Sequence, residues 1–483
     1  MSLKEKTIKG LSWSFIDNFV TKAVTFTVGI ILARLLSPDE FGITAYILFF
    51  VAISNSFIDS GFSAALIRKK DCTPTDYSTV FYFNLTIAII LYLLLVLIAP
   101  LAESFFEVPG FELILRVAGI SLIINALGVV QITLLFKRID FKTKAKITVS
   151  SEILAGIISI VMAYKGFGVW SLVWKTVLAQ SFTTSLLWIF NRWRPKMVFS
   201  VKSFKEMFNF GYKLALSGLI DTTFSYIYYP IIGKYFTTTT LGHYTRASQF
   251  SEPFSSTLTK NIQRVTYPVL STIQNDPEKL RQGYRKIIKS TMLISFACML
   301  GLAAVAKPMI LILIREEWLP CVPYLQLLCL ASMLYPLHAI NLNVITVKGR
   351  SDIFLKLEII KKLLFIPIIF FGIYYGIIAL LVANIIADFI CYLLNSYYSG
   401  DLIHYSTKEQ IKDILPFFLV SICVSGLVWC ITFLEWSNWI TIILQVGAGA
   451  LLTVGIYELM RQSDYLEIKQ IVLQFAGKLF RKK

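Results

Sequence analysis

The chain has 483 residues, of which 56% are hydrophobic and 16% charged, with a formal net charge of +17; an ordinary soluble domain has roughly 45–50% apolar and about 25% charged residues. A soluble domain is thereby excluded, and the composition marks an integral membrane protein. Nucleic-acid binding is not what the charge means either, because the basic residues are segregated by loop rather than gathered in one patch.

A spanning helix needs about 20 mostly apolar residues. Fourteen segments qualify: 10–36, 40–61, 78–100, 113–136, 146–164, 167–190, 207–235, 239–263, 288–306, 323–347, 354–374, 377–399, 413–434 and 439–459. Bases crowd 4–9, 68–70, 137–146, 192–205, 279–289, 348–362, 408–412 and the tail from 461, whereas the opposite side holds only Arg34, Lys165, Lys234, Lys307 and Arg315. This alternation is the positive-inside pattern and predicts both termini in the cytoplasm. The first segment is long, carries Asp17 and Lys22 and lacks a small-residue cleavage site, so it is expected to remain as the first span. Seven cysteines, without CxxC spacing, predict neither a disulfide framework nor a zinc site.

Along the chain, the first span carries Ser14, Asp17, Asn18, Thr21, Lys22 and Thr25 on one face. Asp17 and Lys22 either pair to hold helices together or serve function, since charges inside spans are functional candidates by default. Its end, ILARLLSPDEFG at Ile31 to Gly42, aligns without a gap to IIGKYFTTTTLG at Ile231 to Gly242. A duplication with an offset of 200 residues is the simplest cause, and internal repeats are a common build for transporters. The second span ends with Ser56, Asp59, Ser60 and Ser63 on one face, and residues 131–146 read as an interfacial basic connector. Glu152, Lys175 and Gln180 are isolated polar residues of the fifth and sixth spans. The run NRWRPKMVFSVKSFKEMF breaks the hydrophobicity and predicts a boundary between halves, giving units 1–205, 206–402 and 403–483.

The seventh span bears a stripe of Lys213, Ser217, Asp221, Ser225 and Tyr228, and the eighth is the most polar of all. Arg246, Gln249, Ser256, Lys260, Gln263 and Arg264 share one face, with Glu252 beside them and Pro253 free to bend the helix. Such a face cannot meet hydrocarbon, because an unpartnered charge there costs several kcal/mol; it lines a wet cavity or lies at the surface. Arg246 and Lys260 are separated by roughly 21 Å along the axis at 1.5 Å per residue, so they read as successive stations for one anion. A lone His338 at a proline-marked bend reads first as a packed, hydrogen-bonded residue, and Glu358 and Asp388 follow in the eleventh and twelfth spans. The last two spans carry few charges and are expected to pack peripherally or leave a groove to lipid. The tail ending GKLFRKK suits the inner-leaflet surface.

The stretches SLKEKTIKGLSWSF, IILARLLSPDEFG, SFIDSGFSAALIRKKDCTPTDYSTVFYFN, FKRIDFKTKAKI, LSGLIDTTFSYIYYPIIGKYF, LGHYTRASQF and IQRVTYPVLSTIQND resemble the polysaccharide transporter family, in its branch of lipopolysaccharide, O-antigen and colanic-acid-type oligosaccharide flippases. The resemblance runs from about residue 2 to 415. It implies an all-α polytopic fold of about 14 transmembrane helices, two pseudo-symmetric six-helix lobes plus two C-terminal helices. It further implies translocation of undecaprenyl-diphosphate-linked oligosaccharide across the bacterial cytoplasmic membrane by alternating access, coupled to H+ or Na+, with no other cofactor. Partners would be membrane lipids, the lipid-linked oligosaccharide, and the glycan polymerase and chain-length machinery.

A diphosphate and a glycan cannot cross lipid, whereas a polyprenyl tail need not leave it. A basic cavity between lobes, open sideways to lipid, meets this demand, with Lys22, Lys213, Arg246, Lys260 and Arg264 as phosphate partners. Asn18, Gln249 and Tyr228, with Tyr226, Tyr229 and Tyr244, would meet sugar, and Asp221, Asp17, Glu252 and Asp388 would carry the ion. Two alternatives stand beside this reading. A cation-coupled multidrug exporter would favour an acidic cavity, and a glycan-processing enzyme needs a large outer loop or an intramembrane His/Asp site. No Walker loop, nucleophile motif or metal cluster is present in the sequence.

Overall fold

The computed structural model describes residues 3–59 and 61–480; Ser60 and the basic residues Arg481, Lys482 and Lys483 lie outside the described residues. Among the described residues every regular element is helical. The chain divides into two compact units, Met1–Gly242 and His243–Lys483.

The first unit holds α1 (Leu3–Leu35), α2 (Pro38–Asp59), α3 (Phe62–Arg68), α4 (Pro74–Phe106), α5 (Phe111–Lys137), α6 (Phe141–Tyr164), α7 (Val169–Phe190), α8 (Val201–Tyr226), α9 (Tyr228–Tyr235) and the start of α10 (Thr238–Thr272). Local chemistry sets where these helices begin. Thr73 and Asp76 form a reciprocal capping box ahead of α4, with Pro74 at its first position, and Asp140 and Ser200 cap α6 and α8. The α5 helix packs on α4 and α7, α6 lies against α1 and α7, and α2 packs on α5 and α8. Leu93, Leu94, Leu97 and Leu101 of α4 are exposed, as expected of a face turned to hydrocarbon.

Beyond residue 205, the α8 helix packs on α2, α3 and α4 within this unit. At its tightest point an added Cβ on Gly61, itself at φ +67°, would lie 2.4 Å from the carbonyl oxygen of Gly211. The two copies of the repeated turn have the same form: α1 ends at Leu35 and α2 starts at Pro38, while α9 ends at Tyr235 and α10 starts at Thr238. Each copy opens its second helix with a hydroxyl cap, Ser37 accepting from the Glu40 N–H and Thr237 from the Thr240 N–H.

The second unit comprises the rest of α10, then α11 (Pro277–Ala304), α12 (Ala306–Ile314), a short 3-10 turn (Glu316–Trp318), α13 (Cys321–Ser332), α14 (Tyr335–Val347), α15 (Ser351–Tyr375), α16 (Ile377–Ile403), α17 (Thr407–Cys430), α18 (Asn438–Leu459) and α19 (Ser463–Phe480). Its core gathers Tyr284, Phe296, Tyr392, Tyr405, Phe417 and Tyr457. Asn341 joins α11 to α16 there, its Oδ1 accepting from Tyr284 at 2.7 Å and from Ser399 at 2.5 Å.

The α17 helix, expected at the periphery, instead packs along α11 and shares this core. Charge explains part of the docking. The basic first turns of α11 meet acids on later helices: Arg281 with Glu409 at 2.8 Å, Arg285 with Asp413 at 2.7 Å, Lys286 with Glu467 at 2.6 Å and Lys289 with Asp464 at 2.8 Å. The first half of α19 is thus held to α11 by ion pairs.

Ten helical stretches of the described residues are long and apolar enough to cross a membrane. The chain is a multi-pass membrane protein. The other four expected spans, at α7, α8–α9, α10 and α15, fall outside that criterion; α8 and α10 carry the polar stripes, and α15 carries Lys356, Glu358, Lys361 and Lys362.

Candidate functional site

In the first unit, α1 and α6 are joined through charge. Asp17 is 4% exposed, accepts from Lys144 Nζ at 2.5 Å and takes a further hydrogen bond from Thr148. The cross-helix partner is therefore Lys144, 127 residues away, which the sequence pairing of Asp17 with Lys22 did not anticipate. Asn18 and Lys22 are exposed on α1, the Asn18 amide donating to the Ser14 carbonyl at 2.8 Å. Further along, Thr25 donates to Glu152 of α6 at 3.4 Å.

Lys213 and Asp221 lie exposed on α8, the Lys213 ammonium 5.9 Å from the centre of the Tyr212 ring. Tyr228 is half-buried where α8 gives way to α9, beside the edge-to-face pair of Tyr226 and Tyr229. A polar chain that sequence inspection missed runs through the unit: Asn125 donates to Asn55 at 2.8 Å and accepts from Gln180 at 3.2 Å. Its three amides lie on three different spans, so no local spacing announces it.

One end of the first unit carries a cavity of about 480 Å³ bounded by Asp39, Phe106, Glu107, Lys234 and Thr238, among others. Lys234 bonds Glu107 at 2.8 Å, and Thr238 bonds Asp39. The ammonium holds the Glu107 carboxyl below its usual range, so this link persists on acidification until the pH falls through that depressed value.

In the second unit, α10 runs unbroken through Pro253 and Pro268. Gln249, Glu252, Lys260 and Arg264 are all exposed and fall on one face. Arg246 does not share their exposure. It is 4% exposed, donates to Gln249 at 2.9 Å and lies 5.5 Å from the centre of the Trp318 ring. The 3-10 turn places Trp318 over it, with His243 edge-on to the same indole at 5.7 Å. No local spacing in the sequence shows that the turn carrying Trp318 covers Arg246, some seventy residues earlier.

Asp388 is half-buried on α16 and makes no hydrogen bond or ion pair among the described residues. Lys361 pairs with Glu358 one turn back on α15, and His338 is engaged by the Asn395 amide at 3.0 Å. No group of three or more His, Cys, Asp or Glu able to hold a metal ion occurs among the described residues.

Known proteins share both sequence and fold. The chain is 26% identical over 378 residues to lipopolysaccharide biosynthesis protein WzxC of Escherichia coli (strain K12), covering 77% of this chain and 76% of that protein. It is 26% identical over 332 residues to succinoglycan biosynthesis transport protein ExoT of Rhizobium meliloti (strain 1021), covering 68% and 67%. The solved structure of lipid II flippase MurJ in an inward closed conformation has the same fold at a TM-score of 0.74, with 16% identity and coverage of 94% of this chain and 100% of that one. A family model described as polysaccharide biosynthesis protein matches residues 31–323, more than half of the chain, and this protein belongs to that family.

Proposed function

We propose that this protein is a flippase that moves undecaprenyl-diphosphate-linked oligosaccharide, an O-antigen or exopolysaccharide repeat unit, across the bacterial cytoplasmic membrane by alternating access. The observation that carries the reading is the stripe on α10. Lys260 and Arg264 stand exposed, with no ion pair among the described residues, on a helix that leads into the candidate membrane span α11, and an uncompensated base beside a membrane calls for an anion or water. Family membership and the names of the relatives support reading that anion as a lipid-linked diphosphate. Lys260 and Arg264 form the capture station, with Gln249 of the same helix toward sugar; in the first unit Lys22 and Lys213 are the phosphate candidates and Tyr228 the sugar candidate. Arg246 is a later station, freed when Trp318 lifts from it.

Replacing both Lys260 and Arg264 by Gln should weaken carrier binding by about one to two decades for each charged hydrogen bond lost, at about 1.5–3 kcal/mol apiece. Lipid-linked oligosaccharide, identified by mass, should then accumulate in cells with normal levels of the inserted protein. Unchanged export in that variant would remove the stripe from the mechanism. Transport draws on an H+ or Na+ gradient through a carboxylate, Asp221 ahead of Asp17, Glu252 and Asp388. In the same assay Asp221→Asn should abolish the response to proton or sodium uncouplers, and an unaltered response would leave Asp221 a helix-packing residue.

The topology in this reading puts both termini and the loops at 68–72, 137–146, 192–205 and 279–289 in the cytoplasm, with fourteen spans in two lobes of six, 1–205 and 206–402, and two more helices in 403–483. A polymerase and chain-length machinery would receive the product outside. Single-cysteine labelling checks the sidedness: a cysteine placed at Glu107 or Thr238 should react with an impermeant maleimide from outside. Reaction only from the cytoplasm would invert the assignment.

A further inference from the structure

The connector after α5 forms part of the wall of a second cavity. About 230 Å³ in volume, it is lined by Cys72, Tyr77, Lys137, Arg138 and Trp193, with Pro74 and Leu134. That is several times the ~30 Å³ a water occupies in the liquid. Its walls are rigid. Lys137 Nζ donates to the carbonyls of Leu66 and Lys69 at 3.1 and 2.6 Å and contacts Cys72 Sγ at 2.9 Å, closing the C-terminal end of α3. The strand-like stretch after α7 is strapped down by Gln131, which donates to the Trp193 carbonyl at 3.2 Å, and by Ser78, which accepts from Lys196 N at 3.0 Å. Trp193 is wedged edge-on against Tyr77 and Phe81.

Three features of this cavity ask for an anion. The Arg138 guanidinium is exposed and makes no hydrogen bond or ion pair among the described residues. The Trp193 indole N–H is buried with no acceptor among the described residues, a condition that native structures seldom leave unmet. Two nearby acids are already taken, since Asp76 and Glu206 both pair with Lys69, at 3.2 and 3.0 Å, and Asp140 accepts from Thr143 as the cap of α6. Positive charge around the rim is therefore in excess. The cavity also sits at the polar end of α5, among Tyr77, Trp188 and Trp193, where a belt of amphipathic rings marks the level of headgroups. Basic pockets between helices at this depth bind phospholipid head groups.

We propose that this cavity is a binding site for the phosphate of an anionic phospholipid headgroup. Arg138 grips the phosphate oxygens through its fork, the Trp193 N–H donates to one of them, and Lys137 supplies charge from behind. A phosphodiester suits donors converging from several directions, and the acyl chains would lie along the apolar flank of α4 and α5. This assignment goes beyond the flippase reading and needs no cargo.

The test uses the full-length protein in nanodiscs of phosphatidylcholine alone or of phosphatidylcholine with phosphatidylglycerol. Alkylation of Cys72 by a soluble maleimide, followed on its own peptide by mass spectrometry, reports occupancy of the cavity. Phosphatidylglycerol should slow Cys72 alkylation, and Arg138→Gln should weaken that protection about ten-fold, the loss of one charged hydrogen bond. Arg138→Lys should restore part of it. Because Arg138 is exposed and has no partner among the described residues, the Gln variant should fold as the native protein does, which its unchanged melting temperature would verify. Equal alkylation in the two lipids overturns the proposal, as does protection that Arg138→Gln leaves intact. Protection by inorganic phosphate alone, in phosphatidylcholine discs, would make the site one for a soluble anion and overturn its lipid assignment. The assay requires no transport, so its failure would leave the flippase reading standing, and an idle transporter could still pass it.

Discussion

Lys144→Met is expected to lower the amount of protein in the membrane and its melting temperature, because it strands the Asp17 carboxylate between α1 and α6. Asp17 is 4% exposed, and its partner stands 2.5 Å away. Removing one member of such a pair typically costs about 3–5 kcal/mol, whereas removing both is far milder, since no uncompensated charge remains. Asp17→Asn combined with Lys144→Met should therefore regain most of the lost stability. The double variant also separates two roles that share one residue. If it accumulates normally and exports normally, Asp17 is a tie between helices. If it accumulates normally and fails to export, the carboxylate carries the coupling ion. A single Lys144→Met variant with native stability would show that the pair contributes nothing to folding.

Gly42→Ala should, together with Gly242→Ala, be the most damaging single-methyl change in the first unit. A Cβ added at Gly42 would lie 1.9 Å from the Thr238 carbonyl oxygen, and one at Gly242 would lie 1.8 Å from the Pro38 carbonyl oxygen. Both obstacles are backbone, so no side chain can swing away, and α2 and the start of α10 must separate. Overpacking usually costs about 1–3 kcal/mol, and this contact should reach the upper end of that range. The two glycines touch the same crossing, so the double variant should cost less than the sum of the singles: once the first methyl has parted the helices, the second finds room. Gly301→Ala on α11 is the control, because an added Cβ there meets nothing within 4 Å and the helix gains roughly 0.5–1 kcal/mol in propensity. Thermal unfolding in detergent and export in cells should rank Gly42→Ala well below Gly301→Ala. Native behaviour of Gly42→Ala would mean that the crossing opens without cost.

The sequence by itself determined where the helices lie, and the reason is local. A run of about 20 apolar residues must satisfy its own backbone hydrogen bonds in lipid, so it becomes a helix whatever surrounds it. Thr73 with Asp76, and the turn shared by Ser37 and Thr237, set helix starts through atoms only a few residues apart. The offset of 200 residues was legible for the same reason, since both copies fold by the same short-range rules. The polar faces of α1, α8 and α10 followed from helical periodicity alone.

Tertiary structure decided which of those polar residues meet one another. Asp17 had Lys22 five residues on along its own helix, yet packing of α6 on α1 brings Lys144 to its carboxylate. Arg246 shares the helical face of Lys260 and Arg264, yet it is buried because Trp318 comes from an elbow some seventy residues later. The α8 helix lies beyond an interruption in hydrophobicity but docks on α2 and α3, and Gly61 at the start of α3 and Gly211 of α8 let two backbones approach. Periodicity records which way a side chain faces; whether that direction holds water, a counter-charge or an indole depends on chain segments whose distance in sequence carries no information about their distance in space.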